Sequence, residues 1–331
     1  MAVIGNTLPT LLDLARRQDP DGKINAIAEQ LVTTNEVLED MTWKEGNLQN
    51  GEKTTVRTGL PAATWRKLNY GVQPSKSVTA QITDTCGMLE AYAEVDKALA
   101  ELNGNTSAWR MSEDAAFLES MNQTMATTIF YGDTSVNPER FVGLAPRFSS
   151  KTATVPSSAS IIDAGGTGTD NTSVWLVCWG PNTVYGIYPK GSKAGFTHED
   201  LGQVTLLDAN AGRFEGYRTH YKWDCGLTVR DWRYVIRIAN IDNSDLIKTG
   251  ATGADLIDLM VQAIELLPNQ NMGTPVFYTS RNVRSFLRRQ IMNKTAYQLT
   301  QENVAGKHIT LFDGIPVRRT DALTIAESRV V

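Results

Sequence analysis

Apolar residues recur at helical spacing in the first forty positions. Leu8, Leu11, Leu12 and Ala15 share one face of a predicted helix over 7–17, and Ile24, Ile27, Ala28 and Leu31 one face of a second over 23–38. Thr7 suits an N-cap with Pro9 in the first turn, and Asp19-Pro20-Asp21-Gly22 breaks the pair. The pattern then changes. Between Lys44 and Gly59 only Leu48 and Val56 are apolar, Asn50-Gly51 signals a tight turn, and Thr54-Thr55-Val56 favours extended backbone. A polar β-ribbon is therefore predicted over 42–78. A hairpin without a hydrophobic face is marginal in water by itself, so this ribbon has to lie on something, and another copy of the chain is the natural candidate.

Helical periodicity returns after the ribbon. Met88, Tyr92, Val95, Leu99 and Leu102 predict a third helix ending at Gly104. Met111, Ala115, Leu118, Met121, Met125 and Ile129 predict a fourth over 108–131, with the stripe as core and Gly132 as stop. Ser112, Glu113 and Asp114 bring capping groups and negative charge near its start. Such a helix spans on the order of 35 Å. Residues 132–172, rich in Gly, Ser, Thr and Pro, read as loop. Next, 174–179 and 183–188 flank Gly180-Pro181-Asn182, which predicts a hairpin with aromatic cross-strand packing, and 227–241 reads as a long strand or a pair of strands. Helices are predicted over 253–267 (Leu256, Leu259, Ala263, Leu266 and Leu267 inside, Pro268 ending it) and 280–293 (Ser280 as N-cap; Val283, Phe286, Leu287 and Ile291 inside). Strands are predicted at 275–279, 308–312 and 315–319.

Composition narrows the function classes. With 331 residues and 41% hydrophobic content the chain can bury a sizeable core in one or two domains. A net charge of −4 gives no global basic field for nucleic acid, and no apolar run is long enough to cross a membrane. Neither is there a secretory signal at the start. Cys86, Cys178 and Cys225 form an odd, scattered set without CxxC, which fits buried thiols in a reducing compartment, so synthesis in the cytosol is expected.

Signals for chemistry are sparse. His198, His220 and His308 fall in no HExxH or HxH pattern, and His198-Glu199-Asp200 reads as a solvated loop rather than a metal site. The glycine-rich stretch from Gly165 to Asp170 lacks GxxxxGK[ST] and precedes a strand, whereas phosphate cradles need a helix N-terminus, so it reads as a flexible loop. No GxSxG is present. No catalytic residue, cofactor or metal is expected. A dispersed active site keeps a soluble hydrolase as an alternative. The Trp and Tyr content of 174–234 suggests a carbohydrate-binding or adhesion protein, whose mark would be an exposed aromatic row on one sheet face. Arg281, Arg284, Arg288 and Arg289 form the densest charge cluster, the first, second and third on one helix face. Ion pairs within or between subunits are favoured there over contact with DNA phosphates. On the ribbon, Lys44, Glu45, Glu52, Lys53, Arg57 and Arg66 are candidates for contact with a neighbouring subunit.

A resemblance enters at Leu311-Phe312-Asp313-Gly314-Ile315-Pro316-Val317-Arg318-Arg319-Thr320-Asp321, and at Gly132-Asp133 through Phe141-Val142-Gly143-Leu144 after the long helix. These segments, and the order of elements over the whole chain, resemble phage major capsid proteins with the Hong Kong 97 fold, nearest the coat proteins of the epsilon-15-like short-tailed phages. The resemblance implies an α+β fold with an N-terminal arm (1–41), an extended E-loop (42–78), a peripheral domain (79–150) with a spine helix (107–131), an axial domain (mainly 151–305) and C-terminal strands (306–331). It implies an icosahedral shell of pentamers and hexamers around double-stranded DNA, assembled in the bacterial cytoplasm. The implied partners are further copies of the chain, a decoration (cement) protein, a portal, and packaged DNA met non-specifically, with no membrane. The arm begins at once, so any scaffolding is expected to be a separate protein. The chain stops soon after the Gly-Ile-Pro-Val motif, and Asp231–Ile241 is the candidate for a peripheral strand in rearranged order. Lys44 and Lys53 lie on the ribbon, yet no partner asparagine can be matched, so covalent cross-linking is not expected.

Overall fold

The computed structural model describes residues 8–10, 13, 35–104, 106–152, 154–208, 210–247, 253–293, 300–304 and 307–331. The helices expected over 7–17 and 23–38 lie largely outside these residues, as do Thr7 and the Asp19–Gly22 breaker. At the first of them, Thr10 Oγ1 accepts from Asp13 N while the Asp13 carboxylate takes the Thr10 amide at 2.9 Å, a reciprocal helix cap.

The elements in chain order are α1 (Val37–Asp40), β1 (Trp43–Glu45), β2 (Gly51–Gly59), β3 (Val78–Thr85), β4 (Gly87–Asp96), α2 (Lys97–Ala100), α3 (Thr106–Tyr131), α4 (Leu144–Arg147), β5 (Ile161–Asp163), β6 (Asn171–Trp179) and β7 (Val184–Tyr188). They continue with β8 (Thr197–Leu207), β9 (Arg213–Val229), β10 (Val235–Asp242), α5 (Leu256–Glu265), β11 (Thr274–Thr279), α6 (Arg281–Asn293), β12 (Thr300–Val304), β13 (Lys307–Phe312) and β14 (Ile315–Arg319). They divide into two compact units.

The first unit comprises residues up to 34, 88–126 and 195–224. The β8–β9 hairpin pairs Thr197 with Lys222 through Leu207 with Arg213, β4 lies beside β9, and the first part of α3 packs against them. Trp109 is buried with Val95 and Ala100, and Met121 with Ala93 and Tyr221. Three expectations fail here. Residues 88–96 form a strand, because Leu89, Ala91, Ala93 and Val95 alternate with more exposed Met88, Glu90 and Tyr92, a period of two that the wider spacing of Met88, Tyr92 and Val95 disguises as helical. The methionine stripe is core only from Met121 onward; Met111 and Leu118 are 74% and 44% exposed, and Trp109 and Phe117 turn inward instead. His198-Glu199-Asp200 belongs to β8 and is not a loop.

The second unit comprises 35–87, 127–194 and 225–331. Its main sheet runs β12-β13-β14-β11-β6-β7, followed by the end of β9, with β10 on β6, β5 on β10 and β1 on β7. Every residue of β6 and β10 is buried, which is why neither shows alternation in the sequence. The expected 174–188 hairpin does not form. β6 and β7 meet only at Trp179 and Val184, in parallel sense, and β6 is flanked by β10 and β11, both antiparallel to it. Residues 227–241 are a pair of strands, the end of β9 and most of β10, joined by a 3-10 turn at Trp232–Tyr234. The inner faces of α5 and α6 cover the sheet through Leu256, Met260, Ile264, Val283, Leu287 and Ile291. Leu266 is 45% exposed and not inside, since α5 ends at Glu265. Ser280 Oγ accepts from Val283 N at 3.4 Å, the expected cap of α6. Within the 132–172 stretch, α4, a 3-10 turn at Pro156–Ser160 and β5 interrupt the loop.

Candidate assembly surfaces

The ribbon is β2 paired antiparallel with β3, from Gly51–Thr85 at its root to Gly59–Val78. Its strands therefore end at Thr85, beyond the expected limit of 78. The tight turn is real but misplaced. Gln49 and Asn50 form it at the root, between bridged Leu48 and Gly51, whereas the far end is closed by the long segment 60–77. Two glycines permit the crowded root: Gly51 has φ +151°, where a Cβ would run into the Asp84 carbonyl, and a Cβ on Gly226 would lie 2.7 Å from the Thr85 carbonyl oxygen.

Two carboxylates, Glu52 and Asp84, sit directly opposite each other at the root, 3% and 6% exposed. Like charges so placed repel, and each has its own cation. Lys44 Nζ lies 3.1 Å from Glu52 Oε1 and 4.9 Å from the Tyr185 ring centroid. Arg147 Nη2 lies 2.8 Å from Asp84 Oδ1 and also donates to the carbonyls of Val142 and Leu227, tying ribbon, loop and β9 together. Burial, and after it the Glu52 carboxylate, raise the Tyr185 phenol well above its ordinary value. Sequence reasoning missed Asp84, Arg147 and Tyr185, because nothing local announces a partner 63 positions away.

The remaining ribbon candidates are placed as follows. Glu45 Oε1 accepts from Gly191 N at 2.8 Å. Asn47 brackets the Lys53 backbone with two hydrogen bonds of 2.8 Å and leaves the Lys53 side chain exposed. Arg57 is exposed on β2 opposite Thr79, and Arg66 is exposed in the far segment. That segment also exposes Leu60, Trp65 (103%), Leu68 (86%) and Tyr70 (70%).

On α6 the four arginines separate. Arg281 makes a two-pronged pair with Asp321 at 2.8 and 2.7 Å. Half-buried Arg284 donates to Thr310 Oγ1 at 2.8 Å; burial lowers its pKa, and neighbouring Arg288, Arg319 and Arg318 push the same way. Arg289 lies over the Phe286 ring at 4.8 Å, and Arg288 is exposed. Arg318 is held by Asp40 at 2.9 Å and Glu36 at 3.3 Å.

The aromatics of 174–234 do not form an exposed row: Trp175, Trp179, Tyr185, Tyr221 and Tyr234 are buried, which removes the mark expected of an adhesion protein.

An extended ribbon, a long helix and a mixed α+β body together define the Hong Kong 97 type of phage capsid fold. A chain of the bacteriophage Epsilon15 structure matches at 39% identity over 100% of this chain and 99% of its own, with a TM-score of 0.81. A chain of the bacteriophage JBD30 capsid shares the fold at 9% identity, with a TM-score of 0.51 over 89% of this chain and 93% of its own. No curated protein matches. The family model for major capsid protein GP7 matches residues 19–331, and the chain belongs to that family. It is a structural protein that assembles into capsomers and forms the shell of a phage virion, which decides among the three readings of the sequence.

Proposed function

We propose that the chain closes an icosahedral shell as pentamers and hexamers around double-stranded DNA, assembling in the host cytoplasm, and that the ribbon is an arm reaching a neighbouring subunit. Residues 1–41 serve as the N-terminal arm, 42–78 with the rest of β3 as the E-loop, and 107–131 as the spine helix of a peripheral domain over 79–150. The axial domain falls mainly within 151–305 and the closing strands within 306–331. The grouping of 195–224 with 88–126 supports assigning the β8–β9 hairpin to the peripheral side. A decoration protein, a portal and non-specifically held DNA complete the particle, and no reaction, cofactor or metal is required.

One observation carries the ribbon reading. All residues from 60 to 80 are exposed, on a ribbon whose root is crowded and ion-paired. A pinned arm with an uncovered end has the build of an intermolecular contact. Many such contacts, individually weak, stabilise a closed shell by multivalency. Arg57→Glu tests it: the expected result is loss of shells by negative-stain electron microscopy with the subunit's thermal melt unchanged. Normal shells from this variant would overturn the placement of the contact.

A further inference from the structure

Charge is segregated along this chain. From Lys53 to Thr83 there are five cations (Lys53, Arg57, Arg66, Lys67 and Lys76) and no Asp or Glu. Residues 88–126 and 195–224 carry the opposite sign, with twelve Asp and Glu against five Lys and Arg. A net charge of −4 for the whole chain conceals both.

Within that acidic unit lies a cleft of about 600 Å³. Tyr92, Phe117 and Tyr217 give it an aromatic wall, and Glu94, Glu113 and Asp114 an acidic one. Asp13 also lines the cleft, with its carboxylate turned to Thr10. One cation lines it, Arg110, and its guanidinium is bonded to Asp200 and Thr219.

We infer that this cleft is the receptor for the ribbon end of a second copy of the chain. The inference rests on the reading of the ribbon as an intersubunit arm and names the surface it meets. Trp65 and Tyr70 enter against Tyr92 and Tyr217, while Arg66 and Lys67 face Glu113 and Asp114. The chemistry fits on both counts. Trp, Tyr and Arg dominate the energetics of protein interfaces, and the ribbon end offers all three, uncovered in its own subunit. Two such aromatics bury about 150–250 Å² each, around half of the roughly 800 Å² that one partner contributes to a standard interface. Opposite charge steers the approach and rejects wrong partners, including a second basic ribbon.

The test is a charge exchange in the full chain. Arg66→Glu with Lys67→Glu is expected to abolish shells by sedimentation and electron microscopy, as is Glu113→Lys with Asp114→Lys, each with an unchanged thermal melt. The four substitutions together are expected to restore at least a tenth of the wild-type shell yield. A fourfold variant as inactive as either pair overturns the cleft as receptor, while leaving the arm reading to the Arg57→Glu result; normal shells from the first pair overturn it as well. Carbodiimide coupling of wild-type shells decides the matter even if a variant misfolds. An intersubunit Lys67 link to Glu113 or Asp114, mapped by mass spectrometry, is expected, and none at either position overturns the inference.

Discussion

At the scale of single residues, Glu327 shows how this protein tolerates buried charge. Its carboxylate takes Arg237 Nη2 at 2.7 Å and the hydroxyls of Ser173 and Tyr131. Arg237 spends its other donors on the Phe148 carbonyl at 2.8 Å and Ser173 Oγ at 3.0 Å, and lies 5.0 Å from the Trp175 ring centroid. Removing one member leaves the other charged and unpaired, so Glu327→Ala should cost about 3–5 kcal/mol in urea unfolding; a loss within error of zero would mean water reaches Arg237. Cys178 gives a second residue-scale expectation. Burial pushes its thiol up to about 11, against an ordinary value of about 8.5. The neutral thiol is favoured on folding, so this stabilisation is complete below the unfolded value and is lost as pH rises through the folded one. At pH 8 a thiol reagent should label Cys178 only after denaturation, and rapid labelling of native protein would contradict that. Neither site was legible in the sequence: Arg237 and Glu327 are 90 positions apart, and buried surroundings are not written in a residue's neighbours.

Among the elements, the ribbon owes its direction to its root rather than to its own strands. β2 and β3 have almost no core of their own, and the pairs Lys44–Glu52 and Arg147–Asp84 fix where they leave the body. Arg147→Met would strand the Asp84 carboxylate, destabilising the root by about 2–3 kcal/mol. Amides of both strands should then exchange faster with deuterium in the free subunit, and unchanged exchange would show that backbone pairing alone holds the ribbon. The long helix shows the opposite balance. Its extent was legible from the 3.6 period and the Gly132 stop, while its inward face was half misread, because Trp109 and Phe117, not Met111 and Leu118, pack inward near its start.

For the whole molecule, function follows from which surfaces remain uncovered in one subunit. A polar arm with an exposed aromatic end and a compact acidic unit make little sense in a solitary protein and good sense in a shell. The family assignment and the 39% identity to the Epsilon15 chain place it in one.

The sequence by itself determined the elements whose signals are local: the spine helix, α5 and α6 with the Ser280 cap, strands β11, β13 and β14, and a ribbon too polar to fold alone. It also carried the Gly-Ile-Pro-Val segment by which the family is known. Only the tertiary structure decided which strands pair. It separated β6 from β7, closed the ribbon through 60–77 instead of at Asn50-Gly51, and turned 88–96 from apparent helix to strand. The reason is physical. Helix bonds close within four residues, so periodicity and caps record them, whereas strand partners are chosen across long loops and fully buried strands carry no alternation to read.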